Sequence, residues 1–152
     1  MDFSYSIYII HGIEIYLKGL IAQIRVLEKI KNCEYQEEKF EGNHNILQLC
    51  NTAMSLIKNS SQKELISEFK FIKKYIEILY SKTNDMTFAR YPQNKEHFPQ
   101  FYVNQSSNIT IDLDVLRIWV NKVFTILDNC TGYVDYQIDE IKEWMYEMQQ
   151  YD

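Results

Sequence analysis

Apolar residues recur along most of this chain with the period of an α-helix. Ile10, Ile13, Leu17, Leu20, Ile24 and Leu27 alternate steps of three and four, which sets them on one stripe and predicts a helix over about residues 3–31. Residues 32–43 are polar, with Glu34, Gln36, Glu37, Glu38, Lys39 and Glu41, and close on Gly42-Asn43, so they read as a solvated connection ending at a helix cap. Ile46, Cys50, Ala53 and Ile57 give a shorter second helix over 44–58, and Lys58-Asn59-Ser60-Ser61 supplies a turn and a cap. Leu65, Phe69, Ile72, Ile76 and Leu79 predict a third helix over 62–82, with Lys63, Lys70, Lys73 and Lys74 largely off the apolar stripe.

From 83 to 109 the periodicity fails, both prolines appear, and Asn, Gln and Ser accumulate. A connection of that length inside one domain is expected to carry function. Leu116, Trp119, Val123, Ile126 and Cys130 predict a fourth helix over 112–130, capped by Thr110 or Asp112 and broken or bent at Gly132. Ile138, Ile141, Met145 and Met148 predict a fifth over 135–150. The fold expected is all-α, one domain of 152 residues built as an up-and-down bundle of four to five helices.

Composition agrees. Four glycines and two prolines leave little room for a turn-rich β fold, and a chain of this length buries roughly two-thirds of its unfolded surface without a disulfide or a metal. The net charge of −5 is uneven: residues 110–152 carry −6, whereas residues 63–109 carry +2. Bulk positive charge therefore cannot drive nucleic-acid binding, although a confined basic face can meet a few phosphates. Cys33, Cys50 and Cys130 form no C-x-x-C pair, which points to reduced thiols and a cytoplasmic setting. Met-Asp-Phe-Ser lacks a basic lead, and Glu14, Lys18 and Arg25 interrupt the apolar stretch, so neither a signal peptide nor a membrane contact is expected.

Three segments then stand out together. His11-Gly12-Ile13-Glu14-Ile15-Tyr16-Leu17-Lys18-Gly19-Leu20 resembles the first-helix signature of the HEPN family (the higher eukaryotes and prokaryotes nucleotide-binding domain). Gly42-Asn43-His44-Asn45-Ile46-Leu47 resembles its Gly-His-Asp/Asn-Leu start of the second helix, with Asn43 inserted. Tyr80 to Pro92, ending in Ala89-Arg90-Tyr91-Pro92, is similar to its Ala-Arg-Tyr-Pro segment. The resemblance covers about residues 3–129. It implies a helical bundle that pairs as a homodimer, works with RNA or nucleotides, and belongs to a bacterial toxin–antitoxin or phage-defence type of system. Glu14, Lys18, His44 and Pro92 are its structural marks here.

Many HEPN proteins are metal-independent ribonucleases with an Arg-x(4–6)-His motif, and Arg90 and His97 are separated by six residues. A neutral imidazole can take the proton of a ribose 2′-OH while a guanidinium stabilises charge on the phosphate, so cleavage needs no metal or cofactor. Tyr91-Pro92 stands where nucleolytic members carry a polar residue, and the helix over 112–130 has Arg117 but no histidine. A binding reading stands beside the catalytic one: Arg90 and Tyr91, with Lys73, Lys74 or Lys95, hold phosphate without cutting it. In a third reading Arg90 is structural, pairing with Glu14 or an acid of the last helix, and the chain serves a protein partner of the same system.

His11 and Glu14, three apart, form at most half a metal site. The expected roles are a core-edge His11 bonded to a carboxylate and a capping His44, with no metal. Phe98, Phe101 and Tyr102 are candidate stacking residues, and Asp135, Asp139, Glu140, Glu143 and Glu147 are expected to form a solvated face.

Overall fold

The computed structural model describes residues 3–32, 42–82 and 113–150. These form an all-α bundle of four helices: α1 (Phe3–Lys31), α2 (Ile46–Asn59), α3 (Ile66–Lys82) and α4 (Leu113–Gln150), with a 3-10 turn at Lys63–Leu65 before α3. Their core is continuous. Ile13, Leu17, Leu20, Ile24 and Leu27 of α1 meet Ile46, Leu49, Ala53 and Ile57 of α2, Phe69, Ile72 and Ile76 of α3, and Val123, Leu127 and Val134 of α4. Nearly every one of these positions repeats at three or four residues, so the apolar stripe that specifies each helix is also the face it buries.

Local signals fix the ends of α2. The Asn45 side chain accepts hydrogen bonds from the backbone N–H groups of Leu47 and Gln48, both at 3.0 Å, and so caps the helix in place of the predicted His44. At the far end the Ser60 N–H donates to the Leu56 carbonyl, and the Ser60 hydroxyl donates to Ile57 O while accepting from Gln62 N–H. That turn starts α3 four residues later than the apolar spacing predicts.

The helix directions are not a simple alternation. His44, just before α2, meets Glu14 of α1, and Ser61, just after α2, meets Glu28, so α1 and α2 run in the same sense. α3 returns against them, since Glu64 pairs with Tyr133 while Phe71 and Tyr75 stack on Trp119 of α4. α4 again follows α1. Phe124 lies over Gly12, and Tyr16 and Gln23 donate to Asp128 and Asp135. The up-and-down order thus holds from α2 onward, while Asn32 and Gly42 stand at opposite ends of α2. Lys82 and Leu113 stand at one common end.

One element departs from expectation. The two helices predicted over 112–130 and 135–150 are a single helix, which runs unbroken through Gly132. Cys130, Val134, Ile138 and Ile141 keep one stripe in phase across the glycine, and tertiary burial on that stripe outweighs the weak helix propensity of one residue. Gly132 faces away from the core, where a Cβ would meet nothing within 4 Å.

Candidate functional site

The most unusual group in the described core is a carboxylate. Glu14 is only 4% exposed, on the edge of the α1 stripe between Ile10, Ile13 and Leu17. A buried charge is tolerated only when paired and hydrogen-bonded. Lys18, one turn on, donates to Glu14 Oε1 at 3.0 Å, and its side chain is itself nearly buried. His44 Nδ1 lies 2.7 Å from the same oxygen. The approach to α2 aims it there: Asn43 Oδ1 accepts the N–H of Asn45, and Asn43 Nδ2 donates to Gln48.

A carboxylate can only accept, so His44 donates from Nδ1. The ring is more than half exposed. The cluster thus ties the start of α2 to α1 through one anchored carboxylate. His11 Nδ1 stands 3.9 Å from Glu14 Oε2, outside hydrogen-bond range. The predicted bond from His11 to the carboxylate thus belongs to His44 instead.

Of the remaining predicted residues, Lys73 lies on α3 with its Nζ 3.7 Å from Glu77, so part of its charge is already matched, and Lys74 is exposed beside it. Arg90, Tyr91, Pro92, Lys95 and His97 lie outside the described residues, as do the stacking candidates Phe98, Phe101 and Tyr102. The residues that flank this stretch, Lys82 and Leu113, stand at one end of the bundle, whereas Glu14 and His44 meet near the middle of α1. Among the described residues no group of three or more His, Cys, Asp or Glu could hold a metal, and no helix is long and apolar enough to cross a membrane.

The described thiols are poor nucleophiles. Burial pushes Cys50 up to about 12 and Cys130 up to about 11, so both stay protonated at neutral pH. On the acidic helix α4, Asp128 and Asp135 are engaged by Tyr16 and Gln23, and Tyr133 donates to Glu64, holding that carboxyl below its usual range. The face is not only solvated.

Sequence reasoning did not find the second polar cluster. Gln62 is fully buried and donates to Ser61 Oγ and to Gln137 Oε1, each at 2.9 Å, tying the α2–α3 turn to α4. Lys31 joins it through Ser61. The run Ser60-Ser61-Gln62 carries no apolar period, so nothing in the sequence distinguishes it from an exposed turn. No known protein family, curated protein or solved structure matches this chain significantly.

Proposed function

We propose that this chain is a dimeric HEPN-like module that recognises RNA or a nucleotide through its phosphate, as an accessory of a bacterial toxin–antitoxin or phage-defence type of system. One observation carries the reading. Glu14 and Lys18 come from the first segment that resembles the family and His44 from the second, and these three side chains meet around a single buried carboxylate. Residues that share a signature for a structural reason are expected to touch, and these do although Glu14 and His44 are 30 positions apart.

In this reading Arg90 and Tyr91 hold the phosphate, with Lys73, Lys74 and Lys95 as supporting charge. The net charge of −5 keeps binding local, to a few phosphates. A second reading rests on the Arg90-x6-His97 spacing and makes the chain a metal-independent endoribonuclease; a third makes it a structural partner for another protein.

Labelled RNA incubated with the purified protein in excess EDTA separates the three. The first reading predicts intact RNA, bound by the wild type and released by Arg90→Ala. Cleavage lost in both Arg90→Ala and His97→Ala would replace it with the ribonuclease. Neither binding nor cleavage, with a second protein co-purifying, would leave the structural role.

A further inference from the structure

Three aromatic rings lie nearly parallel where α3 meets α4. Trp119 stacks on Phe71, with centroids 5.2 Å and planes 3° apart, and on Tyr75 at 6.1 Å and 12°. Tyr75 is buried and Phe71 half-buried, but the indole stays 38% exposed, and Ile118 beside it is 63% exposed. The neighbouring rings already hold Trp119 in place, so a ligand that packs on it has little side-chain ordering to offset. Apolar surface left open in this way marks a contact site.

The patch has a basic rim. Lys122 follows Trp119 by three residues, and its Nζ lies 4.3 Å from the centroid of the Phe71 ring. Lys74 follows Phe71 by three residues, which sets it on the outward side of α3 beside the rings. Both lysines are exposed, and among the described residues neither is ion-paired, since Glu77 is engaged by Lys73 and Glu68 by Ser67. α3 and residues 113–126 of α4 hold six basic residues against three acidic, in a chain whose acids outnumber its bases 21 to 16. An anion is drawn to this face and repelled from the acidic half of α4.

We infer that Trp119 seats an unpaired base of the RNA, with Lys74 and Lys122 meeting the phosphates that flank it. A nucleobase is planar, stacks on an indole whatever its identity, and carries an anion one sugar away on either side. An acidic peptide brings the anion without the planar ring, and a duplex brings phosphates whose bases are already stacked on one another. Neither uses the aromatic patch and the two cations together.

The inference rests on the proposed RNA recognition and supplies what phosphate contacts alone lack, a contact to the base. A few phosphates bind weakly at physiological salt, and one stacked base adds about tenfold without adding to the salt dependence. The position is also suitable. α3 ends seven residues after Tyr75 and α4 begins six residues before Trp119, so the chain leaves and re-enters the bundle about 10 Å along the helices from the rings. Lys74 belongs to both sets of contacts.

Trp119 and Trp144 are the two tryptophans of the chain and stand about 37 Å apart along α4, so in the full-length Trp144→Phe protein Trp119 is the sole indole reporter. Titration with a short oligoadenylate is expected to quench it. An abasic oligomer of the same length and a blunt duplex are expected to bind about tenfold more weakly. Trp119→Leu lowers the affinity for oligoadenylate about tenfold and leaves that for the abasic oligomer unchanged, while Trp119→Phe recovers most of the loss. Lys74→Ala and Lys122→Ala each reduce the log–log salt slope by about one. Circular dichroism checks the fold of each variant, and if Trp119→Leu does not fold, the quench and the lysine variants decide. Oligoadenylate bound without quenching, bound no better than the abasic oligomer, or displaced equally well by polyglutamate overturns the inference. Binding lost in Arg90→Ala but indifferent to Trp119→Leu overturns it and leaves the proposed recognition standing. Binding lost in Trp119→Leu but indifferent to Arg90→Ala does the reverse, and no binding at all overturns both.

Discussion

Glu14 decides how the first two helices meet. Removing it takes an acceptor from the nearly buried Lys18 amine, while the His44 ring is more than half exposed. Glu14→Ala is therefore expected to cost about 3 kcal/mol in urea unfolding, and His44→Ala only about 1 kcal/mol. Equal costs would mean that the exposed histidine, not the buried amine, governs the cluster. The thiols give a pH prediction. Burial raises Cys50 from an ordinary 9.0 to about 12 and Cys130 to about 11, so the folded state prefers the protonated form. That preference contributes stability in full below pH 9, and it is lost as pH rises from there through the folded values. Alkaline unfolding is expected to set in above pH 9, and to move upward when both cysteines are replaced by alanine, once the cost of the two small cavities is measured at pH 7. The family-like segments made Glu14, Lys18 and His44 legible as marked residues. Their contact was not legible, because it depends on α1 and α2 running in the same sense, which apolar spacing does not encode.

At the scale of elements, the period of three and four located every helix to within a few residues, because burial and periodicity are the same signal here. It failed where one residue's propensity was weighed against a stripe. Gly132 reads as a break, yet the burial of Val134 and Ile138 carries α4 through it. Gly132→Ala is accordingly expected to stabilise the protein by about 0.5–1 kcal/mol, as for any exposed mid-helix glycine. Gly12 is different. A Cβ there would stand 2.8 Å from Phe124 Cζ, in the α1–α4 contact. Gly12→Ala must displace a half-buried ring that also meets Tyr16 edge-on, and is expected to lower the melting temperature despite the better helix former. Thermal unfolding of the two variants should give shifts of opposite sign; two increases would show that α1 and α4 are less closely packed than the structure has them.

For the molecule as a whole, charge and topology point to one polar cluster and one stretch of chain. Glu14, Lys18 and His44 meet near the middle of α1, where α2 begins. Bulk charge excluded a broad nucleic-acid surface from the start, and what the sequence offered in its place was a short basic set around Arg90. The most direct measurement is an RNA-binding isotherm for the wild type and for Arg90→Ala, in EDTA, across a range of salt. The account predicts binding of uncut RNA whose affinity falls with salt on a log–log slope of about −2 to −3, as for a few phosphate contacts, and a shallower, weaker isotherm for the variant. RNA that is cut under these conditions, or an affinity that ignores both salt and Arg90, would contradict it.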